Sequence, residues 1–186
     1  MIIKKLYIKG LFEITPEPHF DHRGFFMRTY DQEIFRQHGI DRDWVQENHS
    51  RSEKAGTIRG LHYQLAPFSE TKLARCIRGR VFDVAVDLRK ESETFGKWFG
   101  IDLSEENRKM LLIPQGFAHG FCTLTDEAEV VYKVDNIYTP SHEIGILWSD
   151  EDLRIQWPLS GTPVISEKDS KNMTFREFKE MLNTLE

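Results

Sequence analysis

Hydrophobic and polar residues alternate in short runs along most of the chain, and this pattern predicts β-strands. RVFDVAVDL at 80–88 shows it most clearly. Its alternation predicts two faces, one with Phe82, Val84 and Val86 and the other with Asp83, Ala85 and Asp87. Further strands are predicted at 2–8, 11–14, 24–30, 44–50, 57–64, 72–78, 97–103, 110–114, 120–124, 128–136 and 145–148. Short strands at this even spacing are typical of an all-β sandwich or barrel.

Three segments have the features of helices. DQEIFRQHG at 31–39 ends at a glycine, and SEENR at 104–108 is a short helical turn with a serine as its predicted cap. A C-terminal helix is predicted at about 171–185, with an apolar stripe that should pack on the outside of the β core. The stripe consists of Phe175, Phe178, Met181, Leu182 and Leu185. No repeat or linker interrupts the chain, so residues 1–186 are predicted to form a single domain.

Composition excludes several classes of protein. A net charge of −5 argues against nucleic acid as a partner, because phosphate binding requires a basic surface. No apolar run approaches the roughly 20 residues that span a membrane. Cys76 and Cys122 are far apart and predict neither a disulfide framework nor a zinc site. Without a secretory signal in the first residues, we expect a cytoplasmic protein.

The segment IRGLHYQ at 58–64 places an ionisable ring in an apolar strand. A lone histidine such as His62 is more often a structural core residue than a catalytic one. Strand parity puts Arg59 and His62 on opposite faces. Both side chains can therefore reach one site only if the strand bends or bulges at Gly60.

The loop IPQGFAHGF at 113–121, which contains His119, resembles the second signature of the cupin barrel. That resemblance implies a double-stranded β-helix, a cupin-like jelly roll with short flanking helices. Many cupins bind metal through an HxH pair in the first signature, but this chain has Gln64 in HYQ. A conventional metal site would lack a ligand, so we expect no metal and no cofactor.

Seven segments in order, from about residue 10 to residue 170, resemble the dTDP-4-dehydrorhamnose 3,5-epimerase family. They are RGFFMRTY (23–30), QENHS (46–50), TIRGLHYQ (57–64), KLARCIRGRVFDVAVDLRKESETFGKW (72–98), IPQGFAHGF (113–121), YKVDNIYTPSHEIGILW (132–148) and SEKD (166–169). The resemblance implies a cupin-type homodimer that acts on a dTDP-linked 4-keto-6-deoxy sugar in deoxysugar and cell-surface polysaccharide synthesis.

The resemblance also implies a role for each matching residue. His62 would remove the proton beside the ketone, with Asp169 orienting its ring. Lys72 would stabilise the enolate oxygen, and Tyr132 would return a proton to the opposite face of the sugar. The implied substrate-binding residues are Arg23, Phe26, Arg28, Gln46, Asn48, Arg59, His119, Tyr138, Glu143 and Lys168.

Two positions depart from the family pattern. Arg28 stands where the family typically has a glutamate that contacts ligand, and QEN at 46–48 replaces QDN. These changes leave the nucleotide and the sugar open, as well as the number of carbons epimerised. The prediction is therefore epimerisation at carbon 3, carbon 5 or both. A 3-epimerase and a 3,4-ketoisomerase are alternatives, and the presence of both His62 and Tyr132 disfavours a non-catalytic binding protein.

Overall fold

The computed structural model describes residues 1–184, which form short strands and three helices. The strands are β1 Ile2–Lys5, β2 Phe12–Thr15, β3 His19–Asp21, β4 Gly24–Phe26, β5 Gln46–Ser52, β6 Ile58–Gln64, β7 Lys72–Arg78, β8 Arg80–Asp87, β9 Trp98–Ser104, β10 Met110–Ile113, β11 Phe117–Thr123, β12 Ala128–Val134 and β13 Glu143–Gly145. The helices are α1 Gln32–Gln37, α2 Glu167–Ser170 and α3 Phe175–Thr184, with a 3₁₀ turn at Pro140–His142. All the helices of residues 1–184 fall short of the length and apolarity needed to cross a membrane.

Two antiparallel sheets carry the fold. The six-stranded sheet has the order β1-β2-β10-β7-β12-β5, and the five-stranded sheet has the order β13-β6-β11-β8-β9. The main core combines residues of both sheets, including Cys76 and Val130 from the first and Ala85 and Phe121 from the second. The predicted cupin-like jelly roll is confirmed. The strands β3 and β4 form a separate hairpin.

Strand β8 explains how the C-terminal helix is attached. Val81 and Ala85 face the core between the sheets, while Val84 and Val86 join a second apolar cluster that includes Phe178 of α3. The alternation predicted for 80–88 is confirmed, and so is helix packing on the outside of the β core. Both faces of β8 are buried because the helix covers the outer one.

The C-terminal helix begins at Phe175, four residues later than predicted. Thr174 and Glu177 form a capping box at this point. The Glu177 amide donates to Thr174 Oγ1 at 3.2 Å, and the Thr174 amide donates to Glu177 Oε2 at 2.7 Å. These bonds satisfy amides of the first turn, so the helix starts there. Leu185, predicted as part of its apolar stripe, lies outside the described residues.

Two further predictions need correction. The segment 104–108 is a turn and not a helix, because Asn107 accepts from the Ser104 amide at 3.1 Å and donates to the Asp102 carbonyl at 2.9 Å. The strand predicted at 24–30 ends at Phe26, and it pairs with β3, which the sequence analysis missed. The helix near 31–39 is confirmed in shorter form, with Asp31 as its N-cap.

Candidate active site

A cleft of about 460 Å³ opens at one end of the jelly roll, with walls from both sheets and from the segment that leads into α2. All four predicted catalytic residues line this cleft, together with three of the predicted substrate-binding residues. The seven are His62, Lys72, Tyr132, Asp169, Arg59, His119 and Lys168. Side chains separated by up to 110 positions in sequence therefore meet at one place.

A β-bulge at Gly60 turns both Arg59 and His62 towards the cleft. His62 pairs with His119 on β11, but Arg59 pairs with Phe121, so Gly120 alone stands opposite two residues of β6. Gly60 has a φ of +122°, and a Cβ there would lie 2.6 Å from the Gly120 Cα. Only glycine fits this close approach, and the bulge predicted from strand parity is confirmed.

His62 and Asp169 form a hydrogen-bonded pair across the junction of β6 and α2. His62 Nε2 lies 2.7 Å from Asp169 Oδ1, while Asp169 Oδ2 accepts from the Gly60 amide at 3.2 Å. Burial alone would raise the pKa of Asp169, but the hydrogen bond and charge of His62 and the Gly60 amide outweigh burial and lower that pKa. An ionised carboxylate only accepts hydrogen bonds, so Nε2 carries the proton and Nδ1 is left as the basic nitrogen.

Tyr132 and Lys72 occupy the wall opposite His62. They lie on β12 and β7 of the six-stranded sheet, whereas His62 lies on the five-stranded sheet. Lys72 Nζ sits 5.7 Å from the centroid of the Tyr132 ring and 3.0 Å from Glu70 Oε1. Lys72 is only 7% exposed, so its ammonium group lies in the interior of the barrel mouth.

A second histidine–carboxylate pair adjoins the first. His119 Nε2 lies 2.9 Å and 3.0 Å from the two carboxylate oxygens of Asp83, and both residues are buried. Asp83 was not among the residues predicted for the site. Its signal was present, because the alternation of β8 places this charged residue on the same face as Ala85, which is the inner face of the barrel.

A hydrogen-bonded cluster of predicted substrate-binding residues joins the cleft through Lys168. Tyr138 Oη donates to Glu143 Oε2 at 2.7 Å, and the Lys168 ammonium group bonds to the same oxygen. The hydrogen bond to Glu143 raises the pKa of both partners. Burial would raise the pKa of Glu143, but the hydrogen bonds from Lys168 and Tyr138 lower it overall. Gln46 Oε1 accepts from the Tyr138 amide at 2.8 Å and extends the cluster to β5.

Arg59 on β6 and Asn48 on β5 bring further polar groups, one from each sheet. Asn48 is the register partner of Tyr132, so their side chains share one face of the sheet. The Arg59 guanidinium donates to Ser52 Oγ at 3.1 Å and to the Arg51 carbonyl at 2.9 Å. Within residues 1–184 it forms no ion pair with a carboxylate. It therefore presents an uncompensated positive charge to the cleft.

Three predicted substrate-binding residues, on or just after the β3–β4 hairpin, lie away from the cleft. Arg23 and Phe26 belong to the β3–β4 hairpin, where Arg23 forms an ion pair with Asp21 at 2.6 Å. Arg28 forms an ion pair with Asp31, the N-cap of α1, at 2.8 Å. None of these residues lines the cleft.

The donor set of the site suits acid–base chemistry. Across residues 1–184, no three His, Cys, Asp or Glu side chains are grouped so that they could hold a metal ion. Gln64, at the position of the second histidine of metal-binding cupins, is taken up by structural hydrogen bonds. Its Oε1 accepts from the Thr139 amide at 2.7 Å, and its Nε2 donates to the Phe68 carbonyl at 2.9 Å.

Comparisons with known proteins agree with this geometry. Residues 5–177 match the model of the dTDP-4-dehydrorhamnose 3,5-epimerase family. The chain is 51% identical to the dTDP-4-dehydrorhamnose 3,5-epimerase of Shigella flexneri over 94% of this chain and 96% of that protein. A Bacillus anthracis 3,5-epimerase structure with TDP and PPi bound has a TM-score of 0.91 and 42% identity, covering 94% of this chain and 99% of that one.

A further solved structure is the 3,5-epimerase of Legionella pneumophila in complex with dTDP-4-keto-L-rhamnose. It has a TM-score of 0.92 and 40% identity, and the match covers 97% of this chain and 96% of that one. A family match over nearly the whole chain, with the cupin fold, establishes membership. The chain belongs to the dTDP-4-dehydrorhamnose 3,5-epimerase family.

Proposed function

We propose that the protein inverts carbon 3 and carbon 5 of a dTDP-linked 4-keto-6-deoxyhexose, converting dTDP-4-dehydro-6-deoxyglucose to dTDP-4-dehydrorhamnose. One observation carries the proposal: an oriented imidazole and a phenol, His62 and Tyr132, line opposite walls of one cleft. Inversion next to a ketone requires a base on one face of the sugar and an acid on the other.

His62 acts as the base. Asp169 holds the proton on Nε2, so Nδ1 takes the hydrogen from the carbon beside the ketone. The imidazolium that forms is stabilised by the ionised carboxylate 2.7 Å away. The histidine side chain is 31% exposed, which leaves room for the sugar to approach it.

Lys72 and Tyr132 complete the reaction on the other side. The ammonium group of Lys72 favours the negative charge that develops on the ketone oxygen as the enolate forms. Tyr132 then donates its phenolic proton to the carbon from the face opposite His62. One cycle leaves a protonated histidine and a phenolate, which return to their starting states through solvent. No electron transfer takes place, and the sequence resemblance likewise implies neither metal nor cofactor.

The positive groups near the cleft mouth bind the diphosphate of the nucleotide. Arg59 is held by two neutral acceptors and offers its free guanidinium edge to phosphate oxygens. Lys168 and His119 line the same cleft. The relatives from B. anthracis and L. pneumophila bind TDP and a dTDP-sugar, which supports a dTDP-linked substrate here. The predicted cytoplasmic location stays a prediction.

Deuterium exchange tests the proposed reaction. The protein is incubated with dTDP-4-keto-6-deoxyglucose in deuterated water, and the sugar is analysed by NMR. We expect deuterium at carbon 3 and carbon 5 together with the rhamnose configuration. Label at carbon 3 alone would indicate a 3-epimerase, and a displaced ketone would indicate a ketoisomerase. An unlabelled sugar would contradict the proposal.

We also propose that the protein is a homodimer in which the β3–β4 hairpin reaches the partner's cleft. The hairpin carries Arg23 and Phe26, which the family resemblance assigns to the substrate, yet neither lines the cleft of its own subunit. Phe20 and Phe26 are 65% and 71% exposed, and neighbouring exposed aromatic side chains often mark an interface. A second subunit would cover these rings and supply the two missing residues.

Mixing two inactive variants tests this arrangement. Arg23→Ala and His62→Asn are unfolded together and refolded as a mixture. If the hairpin serves the partner's cleft, random mixed dimers contain one intact site and restore about a quarter of wild-type activity. An inactive mixture that contains mixed dimers, or a monomer in solution by light scattering, would contradict the proposal.

A further inference from the structure

Two successive polar contacts join the strand of His62 to Lys72. Gln64 lies two residues after His62 on β6, and its Nε2 donates to Glu70 Oε2 at 3.2 Å. The other carboxylate oxygen of Glu70, Oε1, lies 3.0 Å from Lys72 Nζ. Each oxygen of the carboxylate therefore has its own partner, and Glu70 connects the two walls of the cleft.

The first member of this chain is fixed in orientation. Gln64 is only 4% exposed, and its Oε1 accepts from the Thr139 amide at 2.7 Å. The two hydrogens on its Nε2 are shared among Glu70 and the carbonyls of Phe68 and Ile137, which lie 2.9 Å and 3.3 Å from the nitrogen. Because a backbone donor faces the oxygen and backbone acceptors face the nitrogen, the amide cannot flip without losing these bonds. Gln64 thus presents a fixed donor to Glu70.

The second contact involves two largely buried charges. The side chains of Lys72 and Glu70 are 9% and 11% exposed. Within residues 1–184, Glu70 is the ion-pair partner that the structure gives Lys72. A buried ammonium group is unfavourable without such a partner, and a flexible lysine stem has many rotamers. The carboxylate therefore fixes the place of the Lys72 head group.

We propose that Glu70 is a positioning residue, which holds the Lys72 ammonium group where the enolate oxygen of the substrate forms. The proposal rests on the function proposed above, since it acts through Lys72. Gln64 fixes Glu70, and Glu70 fixes Lys72, so the same strand that carries the base also sets the position of the enolate-stabilising cation. Glu70 does not line the cleft itself, but its carboxylate contacts the ammonium group of Lys72, which does.

Two variants of matched size separate positioning from packing. Glu70→Met removes both acceptor oxygens, whereas Glu70→Gln keeps one oxygen that can accept from Lys72. We expect Glu70→Met to lower kcat for the dTDP-4-keto sugar by about 10- to 100-fold, while KM changes little, because the lost interaction operates in the transition state. Glu70→Gln should restore most of kcat. Equal losses in both variants, or wild-type kcat in Glu70→Met, would overturn the proposal.

A double-mutant cycle with Lys72→Met tests whether Glu70 acts through the lysine. If it does, adding Glu70→Met to Lys72→Met costs no further turnover. Multiplying losses would overturn the proposal and leave the function of Lys72 intact. Wild-type turnover in Lys72→Met would instead overturn the proposed role of Lys72, and the role of Glu70 with it.

Two controls distinguish an effect on catalysis from an effect on folding. Glu13 forms an ion pair with Lys109 at 2.8 Å outside the cleft, so Glu13→Met removes a comparable carboxylate and should leave kcat unchanged. If Glu70→Met does not fold, Glu70→Asp decides, because it keeps the charge but shortens the side chain. A lower kcat at an unchanged melting temperature supports positioning, and a wild-type kcat overturns it.

Discussion

The two histidine–carboxylate pairs of the cleft share one chemistry but occupy different environments. His62 and His119 are register partners on the adjacent strands β6 and β11. The His62 side chain is 31% exposed and its partner Asp169 is 6% exposed, whereas His119 and Asp83 are 5% and 0% exposed. The carboxylate of the first pair comes from α2, 107 residues away in sequence, and that of the second comes from the neighbouring strand β8.

From this difference we expect a proton-transfer role for the first pair and a binding and structural role for the second. A base must reach the carbon of the substrate, which the partly exposed imidazole of His62 can do. A fully buried pair holds one geometry and is costly to disrupt, because a buried polar group that loses its hydrogen-bond partner is left unsatisfied. We therefore expect His62–Asp169 variants to lose chemistry, and His119–Asp83 variants to lose stability and substrate binding.

The largest expected effect is on turnover in His62→Asn. Removing a general base costs typically about 10²–10⁴-fold, so steady-state assays should show a loss of this size. Titration calorimetry should show dTDP binding close to wild type. His49→Asn is the matched control, because His49 bonds to Glu129 at 2.9 Å on an exposed surface. Greater loss of deuterium exchange in His119→Asn than in His62→Asn would reverse the comparison.

The next largest effect is on stability in Asp83→Asn. Weakening a buried hydrogen-bonded pair costs about 1–3 kcal/mol, because the His119 ring stays buried with an amide in place of its carboxylate partner. Urea denaturation should show this decrease in the free energy of unfolding. Asp169→Asn should lose less, because its partner His62 retains contact with water. Equal losses of stability in the two variants would remove the distinction between the pairs.

Asp169→Asn should affect turnover more than it affects stability. The amide cannot stabilise the imidazolium, and it can hold the wrong ring tautomer, so we expect a loss of about 10²-fold in kcat, at the low end for acid–base groups. The kinetic assay is run beside the melting curve of the same preparation. A kcat within a few-fold of wild type would mean that His62 works as a base without its partner.

The smallest effect concerns acid pH. The pKa of Asp169 lies below its ordinary value of 3.8 in the folded protein, so its ionised form stabilises the fold above about pH 3.8. That contribution disappears as the pH falls through the lower folded pKa. The free energy of unfolding, measured with urea, should therefore fall between neutral and strongly acid pH in both proteins. It should fall less in Asp169→Asn than in the wild type. Parallel curves for the two proteins would contradict the lowered pKa.

Most of the fold could be predicted from strand periodicity and a few local sequence signals. Three signals could be recognised in the sequence, because each depends on neighbours within a few residues. They are the alternation in β8, the turn with glycine before His119, and the positions of Arg59 and His62 on opposite faces of a regular strand. Even the bulge at Gly60 followed from them. The prediction of secondary structure was wrong where a side chain replaced the backbone as hydrogen-bond partner, as Asn107 does in the turn at 104–108.

By itself, then, the sequence determined the jelly roll, the family and the residues that face one another across the cleft. Apart from Asp169, which the family resemblance assigned to His62, it did not determine which carboxylate contacts which catalytic or binding group. Asp83 reaches His119 through the pairing of β8 with β11 in one sheet, and the loop before β7 turns Glu70 towards Lys72, two residues later. The position of the β3–β4 hairpin is likewise decided only by the tertiary structure. Such pairings depend on burial and on contacts between distant segments, and these arise only when the chain is folded.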